Sequence, residues 1–443
     1  MDIEGYAKRG LRRGDPDLKQ KLTDRILEIK DISPERARDI ASATIKEAHA
    51  TLRPAGEILA PIASGVTMGE FGVGSRGAGD FYAHEKIAEV IGKTDAIVDS
   101  SHLDDSGVVR IAGQDDRGRY VVLNIDGIHS RLSDFPFLAG FHVARAALRD
   151  IYVMGALPVA MLSDIHVADD GDVGKIFDHI AGISAVAELT HVPLVTGSTL
   201  RIGGDMVIGD RMTGGVGAVG VASDLTARID ATPGDVILMT EGAGGGTIST
   251  AALYYGMHDV VDETINVTFI EACEALFAAD LPGMIHAMTD VTNGGVRGDA
   301  KEISRTARVK LVFYEEKMRN LVNQKVLSML ESLEIDYLGV SLDALLLIAP
   351  PDATSDIMDA IRGEGVNIEV VGEVCEGEGA ELVIDGEVSD FTPRFRESAY
   401  TPIKKLVGEA APDDYELMCA AVDHAAAEAM EKRDLVVARV RGA

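Results

Sequence analysis

The pattern that most constrains the fold is an alternation of short apolar runs with helical stretches, which occurs in two blocks. Between about residues 95 and 225, strand-like runs alternate with helices that begin near Leu138 and Val173. A turn within ATPGDVILMTEG (231–242) starts a second block, which continues to about residue 390. Such alternation is typical of α/β folds, in which helices cover a sheet. We therefore predict a mixed α/β protein with two units, divided near residues 226–233.

The strands of this prediction are short and rich in β-branched residues. A chain of 443 residues is longer than one hydrophobic core usually supports, which agrees with two sheets. The predicted strands are AIVDSS, GVVRIAG, YVVLNID, VAMLSDIHV, PLVTGST and GGVGAVGVAS in the first block, and VILMT, HAMTDV, VKLVFY, ALLLIAPP and IEVVGEV in the second.

Both ends of the chain carry helical patterns outside these blocks. Leu22 and Ile26 recur at helical spacing within residues 15–52, and Ser33-Pro34 supplies a cap and a first turn for a second helix. Strong helix formers fill residues 412–434. The expected organisation is a helical N-terminal extension (1–65), an N-terminal domain (66–228), a C-terminal domain (229–392) and a C-terminal helical extension (393–443).

The charge and the cysteines exclude several classes of function. Lys and Arg total 42 against 72 Asp and Glu, so the formal net charge of −30 repels nucleic acid and anionic lipid. Cys273, Cys375 and Cys419 are far apart in the sequence, which argues against a zinc site or a disulfide framework. There is no apolar signal core and no membrane-length apolar stretch. We expect a cytoplasmic protein without nucleic-acid or membrane partners.

Two glycine clusters invite a phosphate-binding interpretation. GVGSRG (72–77) satisfies GxGxxG but follows no convincing strand, and EGAGGGTIS (241–249) follows a strand without the ordered fingerprint. Each therefore lacks part of the context of a dinucleotide-binding fold, and a plain turn or loop remains the alternative for either. The first cluster leads into the helix FYAHEKIAEVIG, and a flexible loop entering a helix is suited to holding phosphate.

Four acidic clusters stand where apolar runs end. They are LDDSGVV (103–109), VVLNIDGIHS (121–130), AALRDIYVMGALP (146–158) and MTDVTNGGV (288–296). Mg²⁺ prefers hard oxygen ligands and usually binds through a few carboxylates together with substrate phosphates. If these clusters converge, they predict a cation site for nucleotide chemistry.

Each acidic residue also has a structural alternative. Asp104 and Asp105 match a turn or cap pair, and Asp290 matches a helix N-cap. Asp150 lies in an apolar helix, where a buried carboxylate needs a partner, and Arg145 or Arg149 is a candidate for that role. The residues alone leave these alternatives open.

The order of these motifs resembles that of a known enzyme family. DDSGVV, NIDG, RDIYVMGALP, VTGST, PGDVILMTEG, DVTNGG, ALLLIAPP and VVGEV follow one another between about residues 70 and 390. This series is similar to the aminoimidazole ribonucleotide (AIR) synthetase superfamily, which includes selenophosphate synthetase, thiamine monophosphate kinase and a hydrogenase maturation protein. The glycine-rich stretch GVGSRGAGD is most similar to that of the hydrogenase maturation branch.

The resemblance implies a two-domain fold that binds ATP and Mg²⁺. The N-terminal domain is expected to contribute half of a β-barrel that is completed across a homodimer, and the C-terminal domain to form an α/β sandwich that closes the nucleotide cleft. By motif, the family implies metal ligands at Asp105, Asp126, Asp150 and Asp290, and nucleotide contacts at Gly74, Arg76, Gly77, Gly79, Asp104, Asp126 and Thr199.

Departures from the family pattern leave the reaction open. The chain ends in RVRGA without the terminal cysteine of the hydrogenase maturation protein, and it lacks the early cysteine of selenophosphate synthetase. Ser198 stands where the kinase branch has an acid, and Asp205 is a candidate replacement. The resemblance implies a separate branch nearest the hydrogenase maturation proteins.

Two functions remain as alternatives. The first is a Mg²⁺-dependent ATP-binding enzyme that phosphorylates or phosphoryl-activates an oxygen of a small molecule, by kinase or by dehydration or cyclisation chemistry. The second is a non-catalytic nucleotide-binding homodimer that acts as an assembly or maturation factor. The sequence identifies no catalytic residue, and His84, His102 and His129 are interpreted as structural or surface histidines.

Overall fold

Two β-sheets organise the part of the chain that the computed structural model describes, residues 1–53, 56–111, 119–397 and 399–442. The first sheet has five strands in the order β1-β2-β5-β3-β4. Its β3–β4 pair is parallel, and its other neighbouring strands are antiparallel. The strands are β1 (Gly107–Arg110), β2 (Tyr120–Gly127), β3 (Leu157–Val167), β4 (Leu194–Arg201) and β5 (Met212–Ala222).

Helices α6 (Pro136–Tyr152) and α7 (Gly174–Thr190) cover one face of this sheet. α6 is buried along almost its whole length, because one side packs on β2, β3 and β5 and the other contacts α7, α8 and α9. The core that includes Leu148 of α6 and Val216 of β5 also includes Leu347 of the second sheet. One continuous core therefore joins the two sheets.

The opposite face of the five-stranded sheet is open. Strand alternation sends Val122 and Asn124 towards α6 and Leu123 and Ile125 outward. Ile125 exposes 72% of its surface. The neighbouring strands add further exposed apolar side chains, which are Val109, Leu157, Val159, Leu162, Val195 and Leu200. This sheet has one face in the core and one apolar face without cover in the single chain.

The second sheet has seven strands in the order β12-β11-β8-β10-β6-β9-β7. Its central strands are continuous apolar runs because helices lie on both faces. The strands are β6 (Val236–Thr240), β7 (Ala287–Asp290), β8 (Lys310–Tyr314), β9 (Leu345–Ala349), β10 (Ile368–Cys375), β11 (Gly379–Ile384) and β12 (Glu387–Asp390). The helices are α8 (Gly246–Tyr254), α9 (Thr268–Ala278), α10 (Gly295–Ala307), α11 (Glu315–Leu321), α12 (Gln324–Ser332) and α13 (Thr354–Gly363).

Three helices at the start of the chain form a small separate core. α1 (Ile3–Arg13), α2 (Leu18–Ile29) and α3 (Pro34–Ala50) pack around Ile3, Leu22 and Ile26, and Ile208 from the loop between β4 and β5 joins them. Lys30 at the end of α2 forms an ion pair of 2.6 Å with Asp170. These contacts fasten the helices to the first sheet.

The C-terminal segment packs on the glycine-rich region. α15 (Tyr415–Arg441) lies along α5 (Ala78–Ile91), and Tyr82 donates a hydrogen bond of 2.7 Å to Asp423. Within the described residues, no helix combines the length and the apolar character needed to cross a bilayer. The remaining helices are α4 (Met68–Phe71), α14 (Pro402–Val407) and 3₁₀ turns at Glu57–Leu59, Ser100–His102, Ser130–Asp134, Arg228–Asp230, His258–Thr264, Pro282–Met284 and Tyr337–Gly339.

Most of the predicted elements are confirmed, two predicted strands need correction, and one helix was not predicted. α1 was missed, although Asp2 caps it by accepting the N–H of Gly5, and Gly14 ends it at a φ of 65°. The run AIVDSS forms only an isolated bridge between Val98 and Val108. The predicted strand GVVRIAG ends at Arg110, and its residues 112 and 113 lie outside the described residues.

Candidate functional site

A cavity of about 650 Å³ lies where the ends of β2, α6 and β7 meet. Four chain segments that are distant in sequence bring carboxylates to its wall, and we call this region the carboxylate end. It consists of Asp104, Asp105, Asp126, Asp150 and Asp290. The four acidic clusters of the sequence therefore converge on one cavity.

Strand alternation explains how Asp126 and Asp150 come together. Val122, Asn124 and Asp126 all point from β2 towards α6. The side-chain amide of Asn124 donates a hydrogen bond of 2.8 Å to the carboxylate of Asp150, near the end of α6. Ser106 donates a hydrogen bond of 2.6 Å to the backbone oxygen of Asp150. Asp150 is thus fixed beside Asp126 by neutral groups.

Burial raises the pKa values of four carboxyl groups at this end, Asp104, Asp126, Asp150 and Asp290. Burial, with repulsion from Asp290, Asp126 and Asp105, raises the pKa of Asp150 well above its usual range. Burial also raises the pKa of Asp126. It raises the pKa of Asp104 and the pKa of Asp290 to about 7, against the opposing effect of nearby arginines. Carboxyl groups that share a cavity in this way favour a bound cation.

Arg228 compensates the charge of the Asp104–Asp105 pair. Its guanidinium pairs with Asp105 at 2.7 Å and with Glu302 at 3.0 Å, and its backbone N–H donates to Asp104 at 3.0 Å. Thr289 donates a further hydrogen bond of 2.9 Å to Asp105. Arg228 is 1% exposed, so these contacts form in the protein interior.

A second arginine cluster holds Asp290 and Asp343. Arg149 pairs with Asp290 at 2.9 Å, and both Arg145 and Arg149 contact Asp343. These guanidiniums hold the pKa of Asp343 well below its usual range despite its burial. Neither arginine forms an ion pair with Asp150, contrary to the alternative that the sequence offered.

Asp126 and Asp150 are the carboxylates that could complete a Mg²⁺ site. Neither forms an ion pair with a described residue, whereas Asp105 and Asp290 each have an arginine. No three Asp, Glu, His or Cys side chains of the described residues are arranged to hold a metal ion together. Oxygen donors with uncompensated charge are nevertheless what Mg²⁺ requires when phosphates supply the other ligands. The residues therefore fit a cation that arrives with a nucleotide.

The glycine-rich loop is held by a carboxylate of its own. Asp80 accepts hydrogen bonds of 2.8 Å from the backbone N–H groups of Gly74 and Arg76. The Arg76 guanidinium reaches the other side of the cavity, where it donates to the backbone oxygen of Asn293 at 3.1 Å and pairs with Glu302 at 3.2 Å. Gly74 and Arg76 line the cavity, and the loop is tied to α10.

The residues around the start of α8 form another part of the cavity wall, and we call this part the α8 end. It is formed by His129, His142, Gly246, Thr247 and Ser341. The ring of His129 contacts the hydroxyl of Tyr400 at 2.8 Å and that of Thr250 at 3.0 Å. Burial, Lys404 and Arg131 lower the pKa of His129 to about 4, so its ring is neutral.

Comparison with known proteins agrees with this architecture. Residues 103–222 match the model of the AIR synthase related protein N-terminal domain, and residues 232–385 match that of the C-terminal domain. This chain belongs to the AIR synthase related protein family.

The relatives of this AIR synthase related protein include proteins named as kinases. The chain is 54% identical to an uncharacterized protein of Methanocaldococcus jannaschii over 99% of this chain and 98% of that protein. It is 32% identical to a selenide, water dikinase of Geobacter metallireducens over 51% of this chain and 64% of the dikinase. The crystal structure of the hydrogenase maturation protein HypE in complex with ATP superimposes with a TM-score of 0.53 at 18% identity, covering 66% of this chain and 88% of HypE. This last likeness shows that the two-domain AIR synthetase-like fold is shared.

Three of the nucleotide contacts implied by family resemblance do not line the cavity. A Cβ at Gly77 would lie 2.1 Å from the backbone oxygen of Phe395, and a Cβ at Gly79 would lie 1.7 Å from that of Phe71. Close packing therefore requires these two glycines. Thr199 lies on the exposed edge strand β4, as does Ser198, and Asp205 contacts Arg201 on the surface.

The sequence analysis missed the residues that balance the charge of this AIR synthase related site. Arg228, Glu302, Asp343 and His142 come from segments without a motif, whereas Arg149 and His129 lie within the motifs RDIYVMGALP and VVLNIDGIHS and were given only structural roles. One signal was available for Arg149, which directly precedes Asp150 in an apolar helix. Arg228 lies at the predicted boundary near residues 226–233, where no apolar pattern marks it as buried.

Proposed function

We propose that this AIR synthase related protein is a Mg²⁺-dependent enzyme that uses ATP to phosphorylate or phosphoryl-activate an oxygen of a small molecule. The observation that carries the proposal is the convergence of five carboxylates on one cavity, of which three, Asp104, Asp126 and Asp150, form no ion pair with a described residue. Phosphoryl transfer consists mainly of positioning and of neutralising charge on the phosphates. Relatives named as a selenide, water dikinase and a thiamine-monophosphate kinase support an ATP-using reaction.

The proposal assigns metal binding to the carboxylates and phosphate contacts to the glycine-rich loop. Asp126 and Asp150 would hold Mg²⁺ together with Asp105 and Asp290, and the bound ion would supply positive charge to the phosphates. Gly74 and Arg76 border the space for the phosphate chain. Thr199 is too exposed to join this set within one chain.

The chemical change is a single displacement. A substrate oxygen forms a bond to the γ-phosphorus while the bond from that phosphorus to the β–γ bridging oxygen breaks, and ADP departs with the electron pair. A hydroxyl substrate loses its proton to solvent. An amide carbonyl would instead lose its N–H proton to solvent as its oxygen is phosphorylated. A second nucleophile would then attack the carbon, and inorganic phosphate would leave with the electron pair of the C–O bond. Both outcomes use the same site.

The proposal includes a homodimer formed through the open face of the five-stranded sheet. Exposed apolar patches of this kind usually mark a protein interface, and Ile125 lies at its most exposed point. A Leu162→Glu substitution on β3, where the side chain is 37% exposed and does not line the cavity, should place a charge in the interface and halve the mass measured by light scattering. A matched Ile384→Glu change on β11, where the side chain is 44% exposed, should leave the mass unchanged.

Calorimetric titration of ATP with and without Mg²⁺ tests the nucleotide site. We expect binding that requires Mg²⁺, and a loss of at least about tenfold in affinity for Asp126→Asn and Asp290→Asn. Asp359→Asn, on the exposed surface of α13, serves as the control. Mg²⁺-independent binding, or equal affinity in all variants, would remove the carboxylate end from the proposal. Tight ATP binding without ADP formation across hydroxyl, amide and amine substrates would favour the non-catalytic assembly factor.

A further inference from the structure

Helix α5 lies between the cavity and the helix α15. Three side chains at helical spacing line the cavity from α5, and they are Asp80, His84 and Ile87. On another side of α5, Tyr82 donates a hydrogen bond of 2.7 Å to Asp423 of α15, and Lys86 pairs with the same carboxylate at 3.1 Å. α5 therefore connects the wall of the cavity to α15.

The position of α5 depends on its contact with α15. Within Ala78–Ile91, all of which the structure describes, the buried residues are Gly79, Asp80 and Phe81. Most of the helix is therefore partly or fully exposed, although packing of a buried face is what usually stabilises a helix of this length. α15 is the helix that α5 contacts most extensively. The part of the cavity wall that α5 forms is thus held in place largely by α15.

The segment that leads to α15 also holds the glycine-rich loop. The backbone oxygen of Arg394 accepts the N–H of Ala78 at 3.1 Å, and the N–H of Glu397 donates to the backbone oxygen of Ser75 at 3.2 Å. These two hydrogen bonds lie on either side of Arg76, whose guanidinium crosses the cavity to α10. The loop is therefore bound on one side to α10 and on the other to the segment that leads to α15.

Aromatic rings connect the two ends of the glycine-rich loop to the start of α15. The ring centre of Tyr415 lies 5.0 Å from that of Phe395 and 5.7 Å from that of Phe71. Phe71 directly precedes the loop, and the backbone of Phe395 packs against Gly77 at its end. A displacement of α15 would therefore remove contacts beside both ends of the loop.

α15 itself is held by a small interface. Two of its 27 residues, Met418 and Ala426, are buried, whereas α6 is buried along almost its whole length. Leu417 and Val440 of α15 are exposed. Elements with few buried apolar contacts open locally at a lower cost in free energy than the core does. Release of α15 is therefore expected to need much less free energy than unfolding of the two sheets.

We propose that α15 is a releasable latch on the glycine-rich loop. With α15 in place, α5 and the loop stay against the cavity. When α15 leaves α5, the helix and the loop move outward, and the cavity opens for exchange of the nucleotide. This inference rests on the proposed function, because it concerns access to the same site. By linkage, a nucleotide that binds the closed cavity also stabilises the docked position of α15.

Hydrogen exchange of the backbone, measured by mass spectrometry without nucleotide, tests the latch. Met418→Lys places a charge in the interface of α15, and Leu417→Lys places the same charge at the neighbouring position, where 74% of the residue is exposed. We expect exchange in residues 74–91 to become at least about tenfold faster in Met418→Lys and to stay unchanged in Leu417→Lys. Exchange in β9 should stay unchanged in both variants, because the two sheets remain folded.

A milder variant and a nucleotide measurement complete the test. Tyr82→Phe removes the hydrogen bond to Asp423 but keeps the ring, and it should make exchange in residues 74–91 about threefold faster. In stopped-flow experiments with a fluorescent ATP analogue and Mg²⁺, the analogue should dissociate at least about tenfold faster from Met418→Lys than from the wild type. Dissociation from Leu417→Lys should occur at the rate of the wild type.

Three results would overturn the latch. They are equal exchange of residues 74–91 in Met418→Lys and Leu417→Lys, faster exchange of β9 together with α5, and equal dissociation of the analogue from these two variants. Faster exchange of α5 in Met418→Lys, in a protein that binds no nucleotide, would support release of α15 as the event that opens the cavity and would refute the proposed nucleotide site.

Discussion

The two ends of the cavity differ in the sign of the buried charge that has no partner. At the carboxylate end, Asp126 and Asp150 lack a cationic partner and burial raises their pKa values. At the α8 end, Lys404 lacks a carboxylate partner and burial lowers its pKa to about 8. Each end therefore carries charge that a ligand of the opposite sign would neutralise. The difference shows that buried side chains make the cavity acidic at the carboxylate end and add positive charge beside the α8 end.

Removing Arg228, the buried cation at the carboxylate end, should cause the largest loss in the free energy of unfolding. Arg228→Met leaves Asp105 without its cation in the interior and leaves Glu302 with Arg76 alone, and breaking a buried ion pair costs roughly 3–5 kcal/mol. We expect urea unfolding to show a loss of this size in the free energy of unfolding. Arg201→Met, whose side chain is 55% exposed in its ion pairs, should cost less than about 1 kcal/mol. Equal losses in the free energy of unfolding for the two variants would mean that Arg228 does not balance the buried carboxylates.

Asp150→Asn should separate function from stability at the same end. The amide still accepts the hydrogen bond from Asn124 but removes one of the repelling carboxylates. We expect the metal-free protein to gain roughly 1 kcal/mol in the free energy of unfolding near neutral pH, as often happens when a functional site is relaxed. Mg²⁺-dependent ATP binding should weaken by at least about tenfold. A less stable variant with normal ATP binding would contradict the role given to Asp150.

The free energy of unfolding should depend on pH because the pKa values of buried carboxyl groups at the carboxylate end are raised. Burial raises the pKa of Asp290 to about 7, so the folded protein retains a proton there that the unfolded chain loses near pH 4. This contribution to stability is complete below about pH 4 and is lost as the pH rises towards about 7. Mg²⁺ with ATP favours the ionised form, so the increase in Tm that they cause should grow from about pH 5 to about pH 8. An increase in Tm that is the same at every pH would contradict the raised pKa of Asp290.

Lys404 at the α8 end should have the smallest effect on the free energy of unfolding, and stability should change with pH in the direction opposite to that caused by Asp290. The folded pKa of Lys404 is about 8, below its unfolded value, so the unfolded chain binds more protons between about pH 8 and about pH 10. Stability from this group should therefore rise with pH across that interval. Lys404→Met should remove the rise, as measured by urea unfolding at several pH values. Lys405→Met is the matched control and should retain it.

The sequence predicted elements well where a local pattern determines them. β2 shows this, because its alternation both forms the strand and directs Asp126 to the cavity. The four acidic motifs were found because each ends an apolar run. α1 was missed because its segment is mostly polar, although its capping residues Asp2 and Gly14 are visible in the sequence.

Long-range pairing could not be predicted from the sequence. Arg228 meets Glu302 only because the 3₁₀ turn Arg228–Asp230 folds against α10, and neither position shows a motif. The roles of Gly77 and Gly79 were also hidden, since their closest neighbours, Phe395 and Phe71, are brought there by tertiary packing. The same glycine pattern is compatible with a phosphate loop and with tight backbone packing.

Helix α6 has a consequence for how the molecule is assembled. Its residues contribute to a hydrophobic core that contains strands of both sheets, so neither half of the chain can hide its apolar surface alone. The boundary near residues 226–233 separates sequence motifs but not cooperative units. During synthesis, α6 becomes fully buried only after β6, β7 and β9 have been made and have packed against it. Fragments cut at that boundary should remain interdependent, and their recovery should require co-expression.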